Sequence, residues 1–302
     1  MKVQDKSHID RSYEQLIERF TGWAQTRSDI RAAIIVGSRA RIDHSADEWA
    51  DLDVLVITTD PDRYLSSTDW LENIGRPLLT FLEPTASGDG MERRVLFDTM
   101  LDVDFAITPK SAAIQFFQEK ITPQSTIEIF NTFSRGYRVL LDKDGLTTPL
   151  KTIVSSIQTP TPQPPSEHEF SEVINDFLYH AVFTAKHLRR GELWWAKMCC
   201  DCYMQSLMLR IIEWHSQATQ GWDYDTWFRG RYLEEWADPR VLKGLADAFA
   251  HYNEDDVGRA LLAAMDLFRW IAIETAKELK YQYPVHANNV IKNWIKNCLA
   301  KN

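Results

Sequence analysis

The sequence predicts an α+β chain in two parts, a mixed-strand sheet with helices followed by an all-helical region. Three observations carry that prediction. Short apolar runs bounded by turn residues recur through the first half, and two of them, 94–97 and 103–107, flank a tight turn around Asp98-Thr99-Met100, as in a hairpin. A proline-rich stretch, Thr159-Pro160-Thr161-Pro162-Gln163-Pro164-Pro165-Ser166, reads as an extended connector. Beyond it strand signals fade, and apolar residues recur at helical spacing. The expected division is 1–150 for the sheet domain, 151–168 for the linker and 169–302 for the helical domain.

The elements follow in order. Ile9, Tyr13, Leu16, Ile17, Phe20 and Trp23 recur three or four apart, which predicts an amphipathic first helix. Residues 31–36 form a short apolar strand ending at Gly37-Ser38, 51–58 a second strand and 76–82 a third. The hairpin pair 94–97 and 103–107 comes next, then helices over 111–119 and 126–133 and a last strand over 137–141. Hairpin and helix mixed in this way predict strands of both directions. After the linker, 170–190, 192–215, 241–252, 257–279 and 287–299 read as helices.

At 302 residues the chain is long enough for two cores, and 44% hydrophobic with 25% charged residues is ordinary for a globular protein. Most of the tryptophans of the second half, Trp194, Trp195, Trp214, Trp222, Trp227, Trp236, Trp270 and Trp294, are expected to fill space between helices. The formal net charge of -9 argues against a long nucleic acid as partner and suits a cationic small molecule. Cys199, Cys200, Cys202 and Cys298 have neither disulfide nor zinc spacing and are expected as reduced core thiols, which with a polar N-terminal stretch points to the cytoplasm. No apolar run reaches the roughly 18 residues of a membrane span, so no membrane partner is expected.

The chemistry is concentrated in three acidic positions. Asp51 and Asp53 lie two apart, so on a strand they share a face, and Val54-Leu55-Val56-Ile57 continues as a run that is buried on both sides. Asp104 sits inside Val103-Asp104-Phe105-Ala106-Ile107, deeper in its strand than Asp102. A carboxylate in an apolar strand is costly unless a cation compensates it. A divalent metal does so most directly, and Mg²⁺ suits oxygen ligands. Three carboxylates holding two Mg²⁺ could bridge a nucleotide phosphate, with Asp104 accepting the proton of an attacking hydroxyl. Gly37-Ser38 after a strand offers backbone N–H groups and a hydroxyl to a phosphate, and Arg39 adds charge. The stretch is neither a Walker loop nor a dinucleotide fingerprint.

Gly37-Ser38, the loop 39–50, Asp51-x-Asp53 and the later Asp104 resemble the nucleotidyltransferase superfamily with a polymerase-beta-like core. More narrowly, Ile35-Val36-Gly37-Ser38-Arg39, Asp51-Leu52-Asp53-Val54, Val95-Leu96-Phe97 leading to Val103-Asp104, Leu140-Leu141-Asp142-Lys143-Asp144, and Ala185-Lys186 with Arg190 and Glu192 resemble the aminoglycoside 6-adenylyltransferases, or streptomycin adenylyltransferases. The resemblance implies transfer of AMP from ATP to a hydroxyl of an aminoglycoside such as streptomycin, with Mg²⁺ required and pyrophosphate released. It implies that Gly37, Ser38 and Arg39 hold the nucleotide phosphates, that Asp51, Asp53 and Asp104 carry the metals, that Lys186 and Arg190 are cationic partners of the triphosphate, and that Glu192 contacts the substrate.

Plainer readings stand beside these. Lys186 and Arg190 also fit a solvated helix face, and Glu192 a helix N-terminus. Asp223 and Asp225 fit either a cationic ligand or a helix entry, while Asp142 and Asp144 fit a turn. His44 lies in the loop before Asp51, as a site neighbour or a surface residue. The same chemistry with another acceptor, a protein side chain or a different small alcohol, remains open, as does a nucleotide-binding sensor without turnover. RNA end modification is disfavoured by the charge.

Overall fold

A computed structural model of the chain describes residues 6–85, 90–118, 132–156 and 162–300. The chain divides into two compact units, Met1–Pro160 and Thr161–Asn302. The first is built on a six-stranded mixed sheet, and the described part of the second is helical, so the protein is α+β.

In the first unit, helix α1 (Lys6–Thr26) leads into β1 (Ile30–Val36) and β2 (Leu52–Thr58). A short helix α2 (Pro61–Ser66) and a 3₁₀ turn (Asp69–Asn73) precede β3 (Pro77–Pro84), β4 (Met91–Phe97) and β5 (Asp102–Pro109). Helix α3 (Lys110–Gln118), β6 (Arg138–Asp142) and helix α4 (Leu150–Ser156) complete it. The strand order is β3-β4-β5-β2-β1-β6, with β2 and β5 parallel and the other neighbours antiparallel.

The central position of β2 is what its apolar run requires. Val54 and Val56 face a core made with Leu16, Phe20, Trp70 and Phe105. Ile57 faces a second core with Ala113, Phe117, Phe133, Leu150 and Ile153. The α1 residues Tyr13, Leu16, Ile17, Phe20 and Ala24 are all buried, which is the apolar stripe of an amphipathic helix laid on a sheet. Phe105 is fully buried and meets Trp70 edge-on, with ring centroids 5.0 Å apart. The hairpin between β4 and β5 closes through Phe97 N–H to Leu101 O (2.9 Å), with Met100 at φ 60°.

The expected strand over 94–97 begins three residues earlier, at Met91, because it pairs with β3 as well as β5. Neither α2 nor the 3₁₀ turn was expected. Residues 151–156, within the stretch read as linker, belong to α4. Residue 119 of the helix expected over 111–119, residues 126–131 of the one expected over 126–133 and residues 157–161 of the expected linker lie outside the described residues.

The second unit comprises α5 (Glu167–Arg189), α6 (Leu193–Met198), a π-helical turn (Cys199–Tyr203), α7 (Met204–Gln220), α8 (Leu233–Trp236), α9 (Pro239–Ala248), α10 (Glu254–Leu279) and α11 (Val285–Leu299). Helix α5 opens on a capping box in which Ser166 Oγ accepts from Glu169 N–H and the Glu169 carboxylate accepts from Ser166 N–H (2.8 Å). Phe177 of α5 stacks on Phe268 of α10, with centroids 3.7 Å apart, at the centre of one large core.

Two expectations change here. The single helix expected over 192–215 is interrupted by the π turn. This rotates the cysteine run so that Cys199 and Cys200 are buried while Cys202 is exposed, so not every thiol belongs to a core. Among the described tryptophans of the second unit only Trp236 is buried; Trp214, Trp227 and Trp270 pack on the core's margin, and Trp194, Trp195 and Trp294 are exposed. None of the described helices is long and apolar enough to cross a membrane.

Replacing Phe105 by Ala removes the ring that joins α1, the 3₁₀ turn and β5. The expected loss is about 3–5 kcal/mol, measured by urea unfolding with a probe for the first unit; a loss below about 1 kcal/mol would show that the sheet does not depend on this contact.

Candidate metal centre

The site is built where β1 ends and where β2 and β5 begin. Gly37 follows the last residue of β1 and adopts φ +68°. A Cβ there would land inside the Asp53 carboxylate, so glycine is needed for the backbone as well as for the space. The 3₁₀ turn Gly37–Ala40 then carries Ser38, whose hydroxyl is buried without a hydrogen-bond partner among the described residues. An orphaned hydroxyl at a turn is a group waiting for a polar ligand.

Arg39 serves the loop that follows. Its guanidinium lies 3.5 Å from the ring centroid of Tyr13 and donates from Nη2 to Ala50 O (2.7 Å) and Asp47 O (3.3 Å). It therefore fixes the backbone next to Asp51. The Tyr13 hydroxyl donates to Asp102 Oδ1 (2.9 Å), which ties Asp102 to α1.

Asp51, Asp53 and Asp104 come together, one oxygen of each within 4.8 Å of the others. The parallel register pairs Asp53 with Asp104 directly, and Asp51 precedes Asp53 by one strand repeat. Asp51 and Asp53 are half-buried and Asp104 is buried. Burial pushes the Asp104 carboxyl up to about 6; Arg94 pulls the other way, and Glu92, Asp51 and Asp102 add to the rise. An all-oxygen donor set holding a desolvated carboxylate fits a hard divalent cation such as Mg²⁺.

One cation at this site was not legible from local sequence. Arg94 pairs with Asp104 across β4 and β5. Its Nη2 lies 3.3 Å from Asp104 Oδ2 and 3.0 Å from Glu92 Oε1, and its Nε lies 2.5 Å from Glu83 Oε1. Only the strand register could have identified it. Glu92, whose carboxyl is raised by burial, is the second site neighbour that sequence reasoning passed over.

The remaining candidates sit on other elements. Lys186 is exposed on α5 of the second unit. Arg190 caps the end of α5 and donates from Nε to Glu192 Oε1 (2.8 Å). Glu192 stands at the N-terminus of α6, yet its side chain makes no cap bond; His187 and Arg190 hold it instead and keep its carboxyl below the usual range. Asp142 accepts from Leu146 N–H (3.0 Å) and Thr147 N–H (2.8 Å), a turn role, and Asp144 pairs with Arg31 and Lys110. No described helix starts at Asp223 or Asp225, and Asp225 Oδ1 accepts from Trp227 N–H (3.0 Å). His44 is exposed in the loop before Asp51.

Comparison with known proteins gives one consistent result. The sequence model described as "Streptomycin adenylyltransferase" matches residues 10–298. Proteins named aminoglycoside 6-adenylyltransferase are similar over almost their whole length. The one from Campylobacter jejuni is 23% identical (94% of this chain, 95% of that one) and the one from Staphylococcus aureus 22% identical (95% and 98%). The one from Bacillus subtilis (strain 168) is 20% identical (93% and 96%). Among solved structures, an aminoglycoside 6-adenyltransferase from Bacillus subtilis overlaps with 18% identity and a TM-score of 0.45, covering 95% of this chain and 97% of that one. A nucleotidyltransferase-like protein from Exiguobacterium sibiricum overlaps with 14% identity and a TM-score of 0.33, covering 86% and 75%.

The buried Asp104 also makes stability depend on pH. Its folded value of about 6 lies above the ordinary 3.8, so the stability it contributes is full below 3.8 and lost as pH rises through about 6. In EDTA, Asp104→Asn is therefore expected to be more stable than the parent at pH 8, by on the order of 2–3 kcal/mol, with the difference vanishing towards pH 4. Urea unfolding at the two pH values checks this; an equal difference at both would rule it out.

Proposed function

This chain belongs to the streptomycin adenylyltransferase family, and from that membership and its carboxylate cluster we propose that it moves AMP from ATP to a hydroxyl of an aminoglycoside, releasing pyrophosphate. The observation that carries the reading is the convergence of Asp51, Asp53 and Asp104 beside the Gly37 turn. Streptomycin, which the family description names, is the first acceptor to try.

In this reading Asp51, Asp53 and Asp104 hold magnesium. Bound there, the metal supplies neutralisation of phosphate charge and a more acidic acceptor hydroxyl. The chain's own groups do the rest. The Ser38 hydroxyl, without a partner among the described residues, donates to a phosphate oxygen, and the close backbone approach at Gly37 keeps that turn against Asp53. The acceptor oxygen bonds to the α-phosphorus as the bond from that phosphorus to the bridging oxygen breaks, and pyrophosphate leaves with that electron pair. Asp104 would accept the proton of the acceptor hydroxyl, which the metal would make more acidic. Arg39 acts through structure, holding the loop that delivers Asp51. Most of the rate comes from positioning and charge neutralisation, as is general for phosphoryl chemistry.

The test is incubation with Mg-ATP and a panel of aminoglycosides headed by streptomycin, followed by mass spectrometry for an added AMP. Asp51→Asn and Asp53→Asn are each expected to lower the rate by on the order of a thousandfold while circular dichroism stays unchanged. Turnover retained in both variants, or no adduct with any acceptor, would rule the reading out.

A further inference from the structure

We infer that Arg94 is a tethered counter-cation for the triad, a positioning residue that occupies Asp104 in the metal-free protein and is handed to Glu92 and Glu83 when a divalent ion arrives. The inference rests on the metal-binding reading of Asp51, Asp53 and Asp104 given above.

The register makes the tether. Arg94 stands directly across from Asp104 on β5 and from Phe81 on β3, and Glu92 stands across from Glu83 in the neighbouring row. Residues two apart on a strand share a face, so Arg94 and Glu92 both lie on the face of Asp104. The preceding residue, Arg93, points through the sheet. It is buried and donates to the carbonyls of Tyr64 and Leu65 and to Thr80 Oγ1. Arg94 is thus the arginine of this strand that the pleat delivers to the triad.

Its contacts are divided unequally. The Asp104 contact is the longest of three, at 3.3 Å, against 3.0 Å to Glu92 and 2.5 Å to Glu83. A guanidinium has five N–H donors in a fixed fork, so it can release one carboxylate and keep two. A divalent ion on Asp104 would be repelled by a guanidinium at that distance, and Glu83 and Glu92 provide a place for the displaced charge. Arg94 therefore supports the buried Asp104 carboxylate without metal and weakens the grip on metal once it binds. For an enzyme that must release a metal-bound product, weaker grip is an advantage.

Arg94→Gln removes the charge and keeps most of the length. Removing one positive charge from beside a divalent ion at a half-exposed rim is expected to tighten Mn²⁺ binding roughly tenfold, read by electron paramagnetic resonance of free Mn²⁺ at pH 8. Its melting temperature in EDTA is expected to fall below that of the parent. Arg94→Lys, which keeps the charge, is expected to bind Mn²⁺ as the parent does, and Arg94→Met, which removes it, as Arg94→Gln does. Unchanged or weaker Mn²⁺ binding in Arg94→Gln, or in Arg94→Met should the first variant not fold, overturns the inference. A parent protein that takes up no Mn²⁺ overturns the metal reading together with this inference, whereas uptake that is insensitive to Arg94 overturns this inference alone.

Discussion

The desolvation of Asp104 is the constraint around which the first unit is arranged. Its carboxylate is buried in the strand that also carries Val103, Phe105 and Ile107, and those neighbours fix the depth at which it sits. Such a group must be protonated, paired or metal-bound. Parallel pairing of β2 and β5 brings the two strand beginnings side by side, and with them Asp51, Asp53 and Asp104. Antiparallel pairing of β1 with β2 then brings the end of β1, and so Gly37, to the same edge. One mixed-direction sheet thus collects the Gly37 turn and three carboxylates at one end.

The surrounding charges show how the pleat sorts identical residues into different roles. Arg93 and Arg94 are neighbours in sequence, yet one is buried as a clamp on the last carbonyls of α2 and the other faces the carboxylates. Asp102 and Asp104 are two apart and share a face, yet the Tyr13 hydroxyl takes the first at the strand's end while the second enters the cluster. Arg39 carries charge next to the turn and spends it on the ring of Tyr13 and the carbonyls of Asp47 and Ala50.

The second unit follows a different logic. Its helices are held by one apolar core centred on the Phe177–Phe268 stack, and its polar features are mostly local: the Ser166–Glu169 capping box and the Glu192 carboxylate clasped by His187 and Arg190. The π turn Cys199–Tyr203 changes the helical phase between α6 and α7. Lys197, just before the turn, pairs with Asp201 inside it and also donates to the Ala250 carbonyl, which ties the start of the turn to the segment after α9.

Sequence by itself determined the elements whose signal is local. The apolar periodicity of α1, the continuous run of β2, the hairpin turn at Met100 and the helical spacing after the linker each record a side-chain pattern that burial enforces within a few residues. It also determined the identity of Asp51, Asp53 and Asp104 as carboxylates in apolar strands, since that anomaly needs no partner to be visible. Tertiary structure decided what depends on register and helical phase. It set Arg94, Glu92 and Glu83 beside Asp104, turned Arg39 onto Tyr13, and exposed Cys202 through a π turn. These outcomes are fixed by pairing between strands, by the packing of a helix on the turn after β1, or by one extra residue per helical turn. A one-residue change in either would send the same side chains elsewhere, and for that reason no local pattern announces them.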